Sequence, residues 1–162
     1  MRLLRHLFAL PGAVARAFPA NSMSRIEQAI KEGERSHDGE IRFAVEAALH
    51  PAQVWRGVSA RSRAIELFAE LGVWDTERNN GVLLYLLLAE RDVEIVADRG
   101  FNGKVSAEEW ERVCRRMEGA LRERRHADAV IDGVHAVSSI IARHFPPQAG
   151  GRNELPDAPA SV

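Results

Sequence analysis

Apolar residues recur along this chain in two rhythms, and the switches between them predict its elements. Over residues 24–36 the spacing is helical: Ile26, Ala29 and Ile30 share a face, Ser24 and Glu27 stand in the capping-box relation, and Asp38-Gly39 breaks the run. From 40 to 47 the period falls to two, with Ile41, Phe43 and Val45 alternating against Arg42 and Glu46, which predicts a strand with one face fully buried. Helical spacing returns over 60–71 through Ile65, Leu67, Phe68 and Leu71, and Gly72 supplies the stop.

The run VLLYLLLA over 82–89 is apolar almost throughout, as in a central strand covered on both faces. Glu90-Arg91 then turns the chain into a second strand over 93–97, forming a hairpin. Ser106-Ala107-Glu108-Glu109 has the capping-box form and opens a helix to residue 122, with Trp110, Val113, Cys114, Met117 and Leu121 as its inner stripe. On its wet side Glu108–Arg112, Glu111–Arg115 and Glu118–Arg122 lie four apart, the spacing at which opposite charges meet. A last helix over 127–144 buries Val130, Val134, Val137 and Ile141, and Pro146-Pro147 ends it.

Helix, strand, helix, strand, strand, helix, helix is an α/β order. The strand–helix–strand step makes two parallel neighbours, the hairpin adds an antiparallel strand, and the result is an α/β/α sandwich with a small mixed sheet flanked by helices. The chain divides into an arm over 1–20, one domain over 21–146 and a flexible tail over 147–162.

The arm allows two readings. Leu3, Leu4, Leu7, Phe8, Val14 and Phe18 share one helical side flanked by Arg2, Arg5 and Arg16, which suits peripheral contact with an anionic membrane surface. It also suits an arm packed on its own domain. Arg5, His6, Pro11 and Arg16 interrupt the apolar run, so it reads as uncleaved, and no stretch approaches the ~20 apolar residues that span a bilayer.

Composition narrows the function by exclusion. The formal charge of −1 removes the case for bulk attraction to nucleic acid. The single cysteine, Cys114, forms no internal disulfide and no thiolate cluster, and its place on an apolar stripe predicts an inert buried thiol. The six histidines are scattered without His-x-x-x-His spacing, and there is no Gly-x-Ser-x-Gly elbow, P-loop or dinucleotide fingerprint. No organic cofactor is expected.

What remains is oxygen chemistry at one edge. The topology brings together the start of the first strand, the start of the second and the end of the third. Asp38, Glu40, Asp75, Glu77, Asn79, Asn80 and Asp98 lie there, with no lysine among them. Such donors suit a hard cation, Ca²⁺ or Mg²⁺, with Asp75, Asn79, Asp98 and Glu40 as candidate ligands. Arg78 and Arg99 at the same edge could instead neutralise the carboxylates or hold a phosphate. The loop 75–81 is not an EF-hand, because its glycine falls one place late and Leu86 stands where the bidentate glutamate belongs. Asn79, Asn80 and Gly81 also suit a plain turn into a strand.

Glu40-Ile41-Arg42-Phe43-Ala44-Val45, the segment from Phe68 to Leu71-Gly72-Val73, Asn80-Gly81-Val82-Leu83-Leu84 and Arg91-Asp92-Val93-Glu94-Ile95 followed by Gly100 together resemble the TPM-domain family. The resemblance runs over 24–145 and implies an α/β/α sandwich, an acidic cleft that binds divalent cations, and a disputed phosphatase activity. Asn80 and Gly81 match its strand-entry motif, Gly100 and Gly103 match glycines after the third strand, and Asp75 matches by position. Typical members read Gly-Tyr-Gly-Leu-Glu-Gly there, whereas this chain reads Asp98-Arg99-Gly100-Phe101-Asn102-Gly103, so Asn102 replaces a glutamate and Ala107 an aspartate. The expectation is a cation- and protein-binding module of a cytoplasmic branch, peripheral to the inner face of the membrane if the arm docks there. The alternatives are a metal-assisted phosphatase of phosphate monoesters, or docking through the arm alone.

Overall fold

The structure, a computed structural model, describes residues 2–8 and 12–162. Pro11, expected to interrupt the arm, lies outside them. The elements run α1 (Arg2–Leu7), α2 (Ala13–Ala17), α3 (Ala20–Glu34), β1 (Glu40–Glu46), α4 (Pro51–Trp55), α5 (Ala60–Glu70), β2 (Gly81–Leu87), β3 (Asp92–Ala97), a 3₁₀ turn (Arg99–Phe101), α6 (Ala107–Arg122), α7 (His126–His144) and β4 (Ala160–Ser161). The sheet order is β3-β2-β1-β4, with β1 parallel to both β2 and β4 and β3 antiparallel to β2.

Alternation along the strands makes two cores. Ile41, Phe43, Val45, Val82, Leu84, Leu86, Val93 and Ile95 face α3, α6 and α7. Ala44, Leu83, Tyr85, Leu87 and Val96 face the other way, against α5, Leu49, Val73 and Leu155. Every residue of β2 is buried, which is why its sequence carries no alternation. The fold is therefore the expected sandwich of a mixed sheet between helical layers.

The ends of the elements depart from the sequence reading in instructive ways. α3 begins at Ala20 behind Pro19, so Ser24 lies inside the helix and caps nothing. Pro19, with φ −56°, already has the fixed φ that suits a helix start. Ser106 does cap α6 by accepting the Glu109 N–H, but the Glu109 side chain reaches Arg143 of α7 rather than closing the box. The short helix α4 was not foreseen; His50 accepts the Ala52 N–H and Gln53 returns a bond to the His50 N–H.

The arm divides. Phe18 is buried against Phe43 and His126, and Val14 and Ala17 pack on the same core, while α1 lies beside α4. The tail is the larger departure. The segment after Pro147, expected to be flexible, runs along the outer edge of β1 and ends paired with it, Ala44 opposite Ala160 and Val45 opposite Ser161. Leu155 drops into the second core and Arg42 donates to the carbonyls of Pro156 and Ala158 at 2.5 Å each. One apolar side chain and one arginine of β1 thus replace disorder with a covered sheet edge. Among the described residues no helix is long and apolar enough to cross a membrane.

Candidate functional site

Strand pairing alone assembles the predicted edge. Glu40 lies opposite Gly81 and Val82 opposite Ala97, so β1 and β2 begin where β3 ends. Each β2 neighbour is then locked by its own bond: Glu40 N–H donates to Asn80 O at 3.3 Å, and Asp98 N–H donates to Gly81 O at 2.9 Å.

The tightest convergence is between the turn before β2 and the turn after β3. Asn79 adopts φ 52°, a left-handed conformation that asparagine tolerates better than most residues, and its carbonyl accepts the Gly100 N–H at 2.8 Å. A Cβ on residue 100 would collide with that same Asn79 carbonyl, which is the physical reason for glycine there. Arg99 Nε donates to Asn79 Oδ1 at 2.9 Å, and Asp98 Oδ1 accepts the Arg99 N–H at 2.7 Å. Asn80 is fully buried; its Nδ2 donates to Asp38 O at 2.7 Å and its N–H to Thr76 Oγ1 at 3.1 Å. Two oxygens at this corner, Asn80 Oδ1 and Asp98 Oδ2, are buried and accept no hydrogen bond.

The remaining candidates are dispersed. Asp38 is paired with Arg78 at 2.7 Å, so that arginine neutralises a carboxylate. Asp75, Glu77 and Asn102 are exposed, with the Glu77 N–H bound to Glu154 Oε2 at 3.0 Å. Glu40 is buried beneath the tail, where its two oxygens accept the N–H groups of Glu154 at 3.0 Å and Leu155 at 3.3 Å. Burial raises its pKa above the ordinary carboxylate value, against the pull of those two bonds. Among the described residues, no set of three His, Cys, Asp or Glu side chains is placed to hold a metal ion.

Beside this corner the tail closes over a cavity of about 460 Å³ lined by the end of α3, the start of β1 and the tail itself. Glu34, Glu40 and Asp157 all face it. Burial, together with Glu40 and Asp157 nearby, pushes the Glu34 carboxyl up to about 9, even though it accepts the Ile41 N–H at 2.9 Å. His37, buried at the same wall, is pushed down to about 4 by desolvation while its Nδ1 accepts the Gly39 N–H. Glu34 and Asp157 had no sequence signal as a pair: they are far apart in the chain and meet only because the tail returns. Leu155, an isolated apolar residue in a polar tail, was the one hint.

Cys114 is half-buried on α6, and burial raises its thiol to about 12, which makes it a poor nucleophile. Trp74, next to Asp75, is mostly exposed and donates to Ala69 O at 3.3 Å.

Comparison with known proteins agrees with this architecture. The family model of the TPM domain matches residues 14–140. The NMR structure of the BA42 protein from the psychrophilic bacterium Bizionia argentinensis superposes with a TM-score of 0.79 at 24% identity, covering 90% of this chain and 95% of that one. The N-terminal domain of a protein from P. gingivalis gives 0.63 at 20% identity, covering 82% and 83%. The N-terminal domain of the cg2496 protein from Corynebacterium glutamicum gives 0.56 at 13%, covering 88% and 78%. At these identities the likeness is one of fold. No protein of curated function matches the sequence.

Proposed function

This chain belongs to the TPM-domain family, and from that premise we propose that it is a binding module taking Ca²⁺ or Mg²⁺ at the corner between β2 and β3 and presenting it to a protein partner. The observation that carries this is the pair of buried, donorless oxygens, Asn80 Oδ1 and Asp98 Oδ2. A buried acceptor left without a donor costs about 1–3 kcal/mol, and a hard cation recovers it. Asn80 directly precedes β2 and Asp98 directly follows β3, at a corner fixed by the Asp98–Gly81 and Gly100–Asn79 backbone bonds.

The donor set fits a weak site. One carboxylate, one carboxamide and nearby backbone oxygens supply little charge, and the Asn79 Oδ1 oxygen is already engaged by Arg99. Affinity tuned by ligand charge then falls in the millimolar class, roughly 10⁻⁴–10⁻³ M. Asp75 and Glu77, exposed in the turn that leads to β2, would add outer ligands or meet a partner.

Titration of Ca²⁺, then Mg²⁺, into isotope-labelled protein tests this through backbone amide shifts. The expected result is saturable change confined to 79–81 and 98–100. Asp98→Asn keeps an oxygen to cap the Arg99 N–H but removes the charge, so it should abolish saturation without unfolding the chain. A flat titration of the wild type, or an unchanged Asp98→Asn isotherm, rejects the site.

A further inference from the structure

Helix α1 is held to the domain through two of its polar residues, Arg2 and His6. The His6 side chain is fully buried: its Nδ1 accepts the Leu49 N–H at 3.0 Å, which leaves the ring proton on Nε2, facing Glu90 Oε1 at 2.6 Å. Arg2 donates to the same Glu90 oxygen at 2.7 Å and to Val58 O at 2.6 Å. Burial works against the Glu90 carboxylate, but the bonds from His6 and Arg2 outweigh it and hold its pKa below the usual value. These contacts bind one end of α1 next to Leu49 and the other next to Val58, so the helix lies alongside α4.

Leu4 and Leu7 of α1, and the Phe8 that follows it, consequently face solvent, while Leu3 is partly buried. Leu4 and Leu7 are about half exposed and Phe8 is 75% exposed, while Trp55 at the end of α4 is 86% exposed. Four of the seven large exposed hydrophobic side chains among the described residues therefore belong to this pair of segments. An ordinary surface helix has the opposite orientation, and an apolar cluster held outward by buried polar bonds marks an interaction face.

Charge identifies what the face meets. Residues 2–8 and 50–58 hold Arg2, Arg5, Arg56, His6 and His50 and no carboxylate, and the first acidic residue of the chain is Glu27. A chain of net charge −1 has thus set Arg5 and Arg56 beside the exposed Phe8 and Trp55, while the carboxylate bonded to α1, Glu90, is mostly buried and paired with Arg2 and His6. Aromatic side chains flanked by arginine suit the headgroup layer of an anionic bilayer, where rings enter the interface and guanidinium groups meet lipid phosphates.

We propose that Leu4, Leu7, Phe8 and Trp55, with Arg5 and Arg56, form a docking face for anionic lipid bilayers. The face lies at the end of the sheet where β1 and β2 finish, because α1 is tied to Leu49 and Glu90. The acidic corner lies where those strands begin. Seven residues of strand separate the two ends, about 20 Å at the usual rise. Docking there turns the Asn80–Asp98 corner away from the membrane, toward whatever partner approaches.

Flotation of the full chain with vesicles tests the assignment, using phosphatidylcholine alone and phosphatidylcholine mixed with phosphatidylglycerol. The expected result is co-flotation with the mixed vesicles, weakened by salt and much weaker on phosphatidylcholine alone. Phe8→Ser and Trp55→Ser change side chains that are already exposed, so they leave the fold intact. Together they should lower partitioning by about tenfold or more, given the transfer free energy of two aromatic rings. A blue shift of tryptophan emission on adding vesicles, lost in Trp55→Ser, reports entry of that ring. Failure to float with anionic vesicles, or equal flotation of the double variant, overturns the proposal. Self-association removed by the same double variant, without flotation, would assign the face to a second copy of the chain instead.

Discussion

Glu40 accepts the backbone N–H of Glu154 at 3.0 Å, and through that bond a strand of the domain holds the chain's own C-terminal segment against its edge. β1 would otherwise be an exposed edge strand, the kind of surface that recruits other chains. Leu155 anchors the same segment in the second core. Leu155→Ala should lower the unfolding free energy by about 2 kcal/mol, the low end for a core leucine, because the site lies at the margin of the core. Hydrogen exchange should also quicken at the Leu155 and Val162 amides, whose acceptors are Glu40 and Val45. Urea unfolding and exchange read by NMR check both.

The cavity beneath the tail sets a pH dependence with a definite sign. Glu34 has its folded pKa raised from 4.5 to about 9, so the folded state holds a proton the unfolded chain releases, and stability is lost as pH rises through that window. His37 is lowered from 6.5 to about 4, so its contribution is present above 6.5 and is lost as pH falls toward 4. The two oppose each other below 6.5, and above it Glu34 acts without that opposition. Stability should therefore decline from pH 6.5 to 9, with a ceiling near 1.4 kcal/mol per pH unit for one group. Glu34→Gln retains an acceptor for the Ile41 N–H and removes the charge. It should flatten that decline in denaturant melts, and a decline of unchanged slope would show that Glu34 is not its source.

The sheet was legible in the sequence because its signal is local. Alternation in β1, an unbroken apolar run in β2 and a charged turn before β3 each report burial that the chain cannot disguise. The convergence of the three loops followed from topology alone. The chemistry at the edge was less legible, since residue type left Arg78 and Arg99 open between pairing with the edge and holding a phosphate, and only the structure shows Arg78 on Asp38 and Arg99 on Asn79. The tail was illegible for a different reason. Its two-residue strand and single buried leucine are too short to produce a period, and Glu34 and Asp157 acquire their meaning only from its return. The mounting of α1 through Arg2 and His6 escaped for the same reason, because a period identifies two faces of a helix and not which one the protein uses.

Gly100 tests how rigidly the two turns at the corner are joined. A methyl group there meets the Asn79 carbonyl, and backbone gives way less readily than a flexible side chain. Gly100→Ala should destabilise the protein by about 1–3 kcal/mol, as overpacking does. It should also disturb the Arg99–Asn79 contact, visible as shifted amides at 79–81 and 98–100 before any cation is added. Wild-type stability and an unshifted spectrum would show that the turns are free to part.

Opposite the acidic corner, the far end of β1 carries a buried ion pair whose members should not be equally replaceable. Glu46 accepts the Tyr85 hydroxyl at 2.7 Å and the Arg63 Nε at 3.1 Å, and Arg63 reaches on to Glu66 and Glu70. Burial, reinforced by the Glu46 bond, drives the Tyr85 phenol far above its ordinary pKa, so it remains a donor at every accessible pH. Removing that donor in Tyr85→Phe leaves Glu46 with its cation and should cost about 1–2 kcal/mol. Removing the cation in Arg63→Ala leaves a buried carboxylate with only a neutral donor and should cost about 3 kcal/mol or more. Arg63→Ala combined with Glu46→Gln should recover part of that loss, because the unpaired charge disappears with the second change. Equal effects of Tyr85→Phe and Arg63→Ala in urea melts, with no recovery in the double variant, would mean that packing around α5 rather than charge holds this end of the sheet.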